Sequence, residues 1–391
     1  MKKNVAIIGI GEVPTGRFPE QSAISFALES SMQAISHSGL KKDDIDMVIP
    51  TGSMFSSTFN TELVTGRIVE ELGLKNVKRN MQVFSGGSSS SSIAQIAKSL
   101  IIAGDAKNIL CVHADKLGTG VTSQEGIDLF STAGISGEWE VPYGQHYSSV
   151  AALSTQRYLH ETGCTNDHMS AVCISNRKWA ELNPNAFFRN PLTLDEINNS
   201  KMLSSPLRAK QSNMLFDGGG AFIVSYIEEN HDLPTKPIFI LGESGRVTHF
   251  MTSQEPDLTR FGWSIAAKEA FMQAGITPSD IDVAEIYDSY PIYQLIAFEE
   301  IGLCRRGEGG EMFMNGDMAP GGKIPTTTDG GMLSKGHIGA GGGISLLIEA
   351  ARQLMGEAGE RQVKGAKFAL ETSTGGTYFD SQVTILGSEV P

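Results

Sequence analysis

Cysteine is scarce in this chain. Only Cys111, Cys164, Cys173 and Cys304 occur in 391 residues, with no C-x-x-C pair and no metal-ligand spacing, so neither a disulfide framework nor a zinc site is supported. Cys111 sits in the apolar run NILCVHA and reads as core. Cys304 lies beside two arginines that could lower its pKa, although a packing cysteine after a helix is the simpler reading. An excess of positive charge is also missing, with 31 Lys and Arg against 44 Asp and Glu, a net charge of -13. Phosphate surfaces are gripped by clustered Lys and Arg, so nucleic acid and anionic membrane are excluded as main partners. One phosphorylated ligand held by a local basic patch and helix N-termini is still allowed. No apolar run approaches the roughly 20 residues of a membrane-spanning helix. The N-terminal run MKKNVAIIGIG is too short for a signal core and is broken by Gly9 and Gly11, so it reads as a first core strand and a cytoplasmic protein is expected. A P-loop is absent, and Gly9-Ile-Gly11 with Gly16 two residues late and Pro14 at the helix start is a poor dinucleotide fingerprint.

What the chain does contain is one building block twice. At 40% hydrophobic and 19% charged it is an ordinary globular sequence, long enough for about two to three domains. Without gaps, Ser30 to Ile49 can be laid on Ala266 to Glu285, and Ala34, Gly39, Asp44, Ile45 and Asp46 fall on Ala270, Gly275, Asp280, Ile281 and Asp282. Each copy reads as an amphipathic helix, a glycine stop, an Asp-Ile-Asp turn and an apolar strand. Further on, each has a small-residue turn leading into a second helix, SGGSSSSSIAQIAKSLIIAG in the first and GHIGAGGGISLLIEAARQLMG in the second. The second turn carries His337. The first carries only glycines and serines.

The first copy runs through NILCVHADKL to about Leu117. From Gly118 to about Gln211 turn signals, aromatics and short helical stretches replace the strand and helix rhythm, as expected of an inserted loop domain. Strands FDGGGAFIVSYI and PIFILGES follow, and the second copy runs from about Asp257 to the strands KFALETSTGG and QVTILG. The expected division is residues 1–245, including the insertion at about 118–211, and 246–391. Alternating strands and helices predict parallel βαβ units with helices on both sheet faces. Two packed copies then predict a layered α/β sandwich.

Three places carry candidate chemistry. Ser88 to Ser92 could be a flexible linker, but the run passes straight into a helix of period 3.6, and a serine-rich helix start offers amides and hydroxyls to an anion or an enolate oxygen. Glycines at 336, 339 and 341–343 surround His337. A lone histidine is more often structural, but glycines let backbone approach a ligand and imidazole is suited to proton transfer near pH 7. EIYDSYP, Glu285 to Pro291, ends the repeat strand of the second copy, where open α/β sheets place ligands; Tyr287 and Tyr290 there are equally readable as plain strand aromatics. The first copy has VIPTGSM instead.

These stretches resemble the thiolase superfamily, and more closely its branch related to the thiolase domain of sterol carrier protein x. The resemblance covers nearly the whole chain. EIYDSYPIYQL is similar to that branch's H-D-C-F strand end, GLCRRGEGGEMFMNGDMAPGGKIPTTTDGGMLSKGHIGAGG to its glycine-rich stretch ending in the G-H-P loop, and FDGGGAFIVS to its D-G-A-x-A strand. The resemblance implies a five-layer αβαβα sandwich of two duplicated halves, with an inserted loop domain that helps bind coenzyme A.

Carried over by position, the family's nucleophilic cysteine falls on Gly87, the H-D-C-F histidine on Tyr287 and the second catalytic cysteine on Ser289. His337 keeps the G-H-P histidine, with Ile338 in place of proline. A thiolase needs one thiolate for the acyl-enzyme and a second thiol to move the proton, and both are missing. The resemblance extends to cysteine-free relatives of this branch that act as retro-aldolases in steroid side-chain breakdown with a small zinc-ribbon and OB-fold partner subunit; they use tyrosines at the positions of Tyr287 and His337.

The expectation is therefore an enzyme that makes or breaks a carbon–carbon bond next to a CoA thioester, by retro-aldol cleavage of a β-hydroxyacyl-CoA without a covalent acyl-enzyme. His337 is expected as base, Tyr287 as acid or hydrogen-bond donor, Ser289 as a further catalytic position, and Gly87, Ser88 and Ser89 as the oxyanion region. Ser334, Gly339 and Gly341 are expected to contact coenzyme A, which enters as part of the substrate; no permanently bound cofactor and no metal are expected. A homodimer is expected, either alone or within a heterotetramer with such a small partner. The alternatives are a thiolase-type acyltransferase with an unusual nucleophile such as Ser88 or Ser85, and a non-catalytic CoA- or lipid-binding subunit.

Overall fold

The computed structural model describes residues 4–52, 63–119, 121–122, 124–126, 134–227 and 233–390. Met1 to Lys3 of the expected first strand, Ser53 and Met54 of VIPTGSM, and parts of the expected insertion lie outside them. The apolar stretches form strands β1 (Val5–Glu12), β2 (Met47–Pro50), β3 (Asn108–Lys116), β4 (Met202–Ser204), β5 (Leu207–Arg208), β6 (Asp217–Tyr226), β7 (Ile238–Val247), β8 (Val283–Glu285), β9 (Phe368–Gly375) and β10 (Asp380–Gly387). Helices α1 (Ala23–Ser38), α2 (Val64–Leu72), α3 (Ser89–Ala103), α4 (Tyr147–Thr162), α5 (Asn166–Glu181), α6 (Leu194–Asn198), α7 (Trp263–Ala274), α8 (Pro291–Glu300), α9 (Gly309–Met314), α10 (Gly331–Ser334) and α11 (Ile344–Met355) connect them.

Strand order in the main sheet is β2-β3-β6-β1-β7-β10-β9-β8. Read outward from the β1–β7 pair, the two halves mirror each other: β1 matches β7, β6 matches β10, β3 matches β9 and β2 matches β8. The expectation of parallel βαβ units needs correction, because only β2–β3 and β8–β9 are parallel and the other neighbours in this sheet run antiparallel. The parallel pairs are those joined by a helical crossover, through α3 and α11. Strands β9 and β10 are linked by a four-residue turn, too short to bring the chain back parallel.

Side-chain alternation resolves the sheet into layers. Val5 and Ile7 of β1, Ile109 and Cys111 of β3, and Phe222 and Val224 of β6 share one core with Ile93 and Ala97 of α3 and with Ile344, Leu347 and Ile348 of α11; Ile238, Ile240, Ala369 and Leu386 of the other half enter the same core. The intervening Ala6, Ile8, Leu110, Val112, Ala221 and Ile223 pack against α1 through Phe26, Ala27 and Ile35. Leu241, Leu370, Val383 and Ile385 pack against α7 through Ala266, Ala270 and Phe271. The order is α1, half-sheet, α3 with α11, half-sheet, α7: the five-layer αβαβα sandwich of two duplicated halves. Each Leu or Ile so buried contributes about 1.5–3 kcal/mol, so the central helices are held from two sides.

The sequence repeat has a mechanical reason. Gly39 and Gly275 end α1 and α7 in the left-handed region, at φ 74° and 78°, where other residues are strained. Asp44 accepts from the amide of Lys41 and Asp280 from that of Thr277, both at 2.8 Å. Asp46 accepts from the amides of Lys107 and Asn108, and Asp282 from those of Lys367 and Phe368. Each copy thus uses its second aspartate to start the next strand.

Strands β3 and β6 are paired neighbours from Asn108↔Ser225 to Lys116↔Asp217, and α4, α5, α6 and the β4–β5 hairpin lie in the stretch of chain between them. The expected division after residue 245 falls inside β7, which pairs with β10 along most of its length and with β1 only at Ile238 and Phe239.

Candidate active site

His337 is held by backbone before its ring does anything. It forms an isolated bridge with Leu215, its amide donating to Met214 O at 3.1 Å and its carbonyl accepting from the amide of Phe216 at 2.9 Å. The glycines on either side are required. Gly336 has φ 119° and a Cβ there would sit 2.5 Å from the Phe216 ring, while Gly339 has φ 83° and lies against Asp115. Below the loop, His113 of β3 is fully buried, faces the carbonyl of Ile338 at 2.7 Å and contacts the hydroxyl of Thr51.

The ring of His337 meets the phenol of Tyr287, Nε2 to Oη 3.1 Å, with the rings nearly perpendicular at 86°. Tyr287 follows β8 directly and its amide donates to Thr372 Oγ1 of β9 at 3.0 Å. The two residues are 4% and 5% exposed, so the pair is nearly shut off from solvent. Its other neighbour is Gly87: a Cβ at Gly87 would stand 2.5 Å from Tyr287 Oη and 3.0 Å from Cζ, and would also strike the carbonyl oxygen of Thr374. The space in which a side chain at position 87 would begin is thus taken by Tyr287 and by β9.

Protons can be placed from these contacts. The amide of Gly339 donates to His337 Nδ1 at 3.1 Å, so Nδ1 is the acceptor and the neutral ring carries its hydrogen on Nε2, facing Tyr287. Burial, with His113 nearby, lowers the pKa of His337 to about 4; His113 is likewise lowered to about 4 by burial. Burial and the adjacent Asp288 raise Tyr287 above the ordinary phenol range. At neutral pH the pair is an uncharged imidazole and an uncharged phenol.

The serine run sits differently from the expectation of exposed hydroxyls. Ser88, Ser89, Ser90 and Ser91 are fully buried. Ser88 Oγ donates to Asp380 Oδ2 at 2.5 Å, and Ser89 Oγ donates to the carbonyl of Gly86 at 2.6 Å. Ser91 Oγ donates to Glu371 at 2.8 Å and contacts Ser373 Oγ. Burial raises the pKa of Glu371 to about 8, and that carboxyl keeps its proton at neutral pH. The partner of Ser88 is Asp380, the first residue of β10, and its hydroxyl is committed to joining α3 to the second half.

Ser289 is tied to the segment that binds the histidine loop. Its carbonyl accepts from the amide and side chain of Asn213 at 3.2 and 2.8 Å, one residue from the Met214 carbonyl that binds His337. Its Oγ meets Tyr378 Oη at 2.5 Å. Asp288, between Tyr287 and Ser289, points the other way and accepts from the amides of Met332 and Leu333, at 2.7 and 3.1 Å, which anchors the start of α10; burial holds its pKa up at about 7. Ser334 is buried and accepts from Arg177 Nε at 3.0 Å. Gly341 packs on the His113 ring. Gly339 packs on Asp115, so both glycines face β3 while Ser334 faces Arg177 of α5.

Among residues that the sequence did not single out, Lys335 is buried between Glu12 and Asp329, tying the loop to β1. Tyr147 of α4 is close enough to Tyr287 and Tyr290 for each to raise its pKa. Tyr290 Oη bonds to Ser148 Oγ at 2.8 Å. The one signal that could have found His113 was a histidine inside an otherwise apolar strand. No group of three or more His, Cys, Asp or Glu suited to a metal ion occurs among the described residues, and none of their helices is long and apolar enough to cross a membrane. A groove of about 640 Å³, lined in part by Glu12, Gln33, His37 and Arg352, lies away from the Tyr287–His337 pair.

The layered fold and a glycine-set histidine facing the end of β8 define a thiolase-like protein, and comparison with known proteins agrees. Residues 244–388 match the family model for thiolase C-terminal domain-like sequences. The chain is 30% identical to the steroid side-chain-cleaving aldolase of Thermomonospora curvata over 89% of its own length and 90% of the relative. It is 28% identical to the acetyl-CoA acetyltransferase of Methanothermobacter thermautotrophicus over 96% and 97%. Among solved structures, the Ltp2-ChsH2(DUF35) aldolase superposes with a TM-score of 0.85 at 28% identity, over 98% of this chain and 97% of that one. The chain belongs to the thiolase superfamily, in the branch that holds sterol-carrier-protein-type thiolases and aldolases.

Proposed function

We propose that this enzyme acts on CoA thioesters as a carbon–carbon lyase, cleaving a β-hydroxyacyl-CoA by a retro-aldol reaction with no covalent acyl-enzyme. The observation that carries this reading is the Gly87–Tyr287 contact: the place of a nucleophile is filled by a phenol that is itself bonded to His337. The similarity to an aldolase over nine-tenths of both chains supports it.

In the reaction the β-hydroxyl loses its proton, the bond between the α and β carbons breaks, an aldehyde or ketone leaves, and the enolate of the shortened acyl-CoA takes a proton at its α carbon. A histidine with pKa about 4 and its hydrogen on Nε2 is a poor base and a good donor. The geometry therefore favours His337 as the donor and Tyr287 as the shuttle, the reverse of the allocation read from sequence. Tyr287 Oη accepts the β-hydroxyl proton as it gives its own to the α carbon, so no free phenolate accumulates. His337 Nε2–H offsets the negative charge that develops on the phenol or on the thioester oxygen. Tyr287→Phe and His337→Ala should each lower turnover by about 100-fold or more while CoA binding persists. Full activity in both variants would sink this assignment.

The acyltransferase reading has the acetyl-CoA acetyltransferase similarity in its favour, but Ser88, its candidate nucleophile, is buried against Asp380. Mass spectrometry after incubation with acyl-CoA separates the two: a stable acyl adduct supports transfer, its absence together with release of a carbonyl product supports the lyase. The reading includes coenzyme A as part of the substrate, with Ser334, Gly339 and Gly341 shaping the loop beside it. It also includes a cytoplasmic location and a homodimer that joins a small second subunit, as the two-component name of the Ltp2-ChsH2(DUF35) aldolase suggests. Co-purification from the native host tests the last point.

A further inference from the structure

The turn between β9 and β10 holds a residue in a conformation that its type avoids. Tyr378 has φ 69°, in the left-handed region that costs a non-glycine residue about 1 kcal/mol or more, although glycines stand two and three places earlier in the same turn. The structure holds it there from several directions. The amide of Tyr378 donates to the carbonyl of Gly375 at 3.2 Å, and the amide of Thr248 donates to the carbonyl of Phe379 at 2.8 Å. Thr377 Oγ1 donates to the carbonyl of Gly134 at 2.8 Å. The Tyr378 ring stacks on Tyr293 of α8 at an interplanar angle of 19°. Strain maintained by this many contacts delivers the phenol to one place, 2.5 Å from Ser289 Oγ.

One short segment binds both Ser289 and His337: Asn213 holds the main chain of Ser289, and Met214 and Phe216 hold that of His337. We propose that Tyr378 is a positioning residue of this site: its phenol donates to Ser289 Oγ and so turns the serine hydrogen outward, as a fixed donor to an oxygen of the bound thioester. Burial and the neighbouring tyrosines keep the Tyr378 phenol un-ionised, so that it has a hydrogen to give. A serine hydroxyl left to rotate would spend part of its time pointing elsewhere, and the strained turn removes that freedom. The inference rests on the CoA-thioester reading of the site, and it adds a third oriented donor to the Tyr287–His337 pair.

The test uses the full-length enzyme with Tyr378→Phe, Ser289→Ala and the double variant. Two rates are measured: cleavage of a β-hydroxyacyl-CoA, and exchange of the α protons of the shortened acyl-CoA in D2O, which needs only the enolate. Each single variant should lower kcat for both by about 10-fold with KM within about 2-fold, and the double variant should be no slower than the worse single one, because the two residues form one donor. Multiplying losses in the double variant, or an unchanged kcat in a folded Tyr378→Phe protein, overturns the proposal. Should Tyr378→Phe fail to fold, Ser289→Ala alone decides: an unchanged kcat overturns it, and the 10-fold loss supports it. A wild-type enzyme that exchanges protons yet cleaves nothing overturns the aldol reading only, and the Tyr378 inference is then read on exchange. One that does neither overturns both.

Discussion

The phenolic oxygen of Tyr287 lies 2.5 Å from the point where a Cβ on Gly87 would stand. The two positions are one decision: with tyrosine at the first, the second can only be glycine. Gly87→Ala must push aside both the phenol and the carbonyl of Thr374, the second being main chain and unable to rotate away. It should destabilise the protein by about 1–3 kcal/mol, visible as a lower melting temperature, and should reduce kcat by displacing Tyr287. Gly87→Cys should behave alike and form no acyl adduct with acyl-CoA. An adduct on that cysteine, in a well-folded protein, would show that the site can still host a nucleophile.

Ser88→Ala tests the same question from the other side. The hydroxyl lies within hydrogen-bond distance of both Asp380 and the carbonyl of Ser85, and its loss leaves the buried Asp380 side chain short of a donor. A cost of about 1–3 kcal/mol of stability is expected, with kcat within a few-fold of wild type at a temperature where both are folded. Loss of all turnover in a folded Ser88→Ala protein would reinstate the acyl-enzyme route.

The pH profile should carry the signature of a neutral, buried imidazole. The pKa of His337 is depressed to about 4 in the folded protein, against about 6.5 in an unfolded chain. The neutral ring is needed, so its contribution to stability is fully present above about 6.5 and is lost as pH falls through 4, whereas its contribution to activity holds until the pH nears 4. Between the two values, stability should decline as pH falls while kcat/KM stays level on its acid side. An acid limb centred near 6.5 that vanishes in His337→Gln would contradict this.

Glu371 has the opposite sign. Its pKa is raised to about 8 by burial beneath α3, so the native state holds a proton that the unfolded chain releases above about 4.5. Stability from this group is greatest below the unfolded value and is lost as pH rises through 8. Glu371→Gln should remove that slope, so that its melting temperature gains on wild type steadily between pH 5 and pH 8. A constant difference across that range would mean that Glu371 is ionised in the native state.

What the sequence made legible was local. The Asp-Ile-Asp turn, the glycine stops and the second helix of each copy could be read because each aspartate and glycine serves its own neighbourhood. His337 was legible because its glycines cluster within a few residues. Strand direction was not, since a short turn after β9 and a long insertion after β3 decide it and neither leaves a mark within the strands. The serine run was misjudged for a related reason: whether Ser88 and Ser91 offer their hydroxyls depends on Asp380 and Glu371, which stand 292 and 280 positions away. Tyr378 looked like any tyrosine until its backbone angle was known.

The mirrored sheet gives this chain an internal yardstick. Asp46 and Asp282 do identical work at the start of β3 and β9, but only the second strand goes on to press against Gly87 and, through Thr372, to hold Tyr287. Replacing each aspartate by alanine in turn measures one scaffolding cost twice, once at the strand that carries His113 beneath the histidine loop and once at the strand that holds Tyr287. The difference in turnover between the two variants compares how much the Tyr287 side and the His337 side each depend on their supporting strand, within a single molecule.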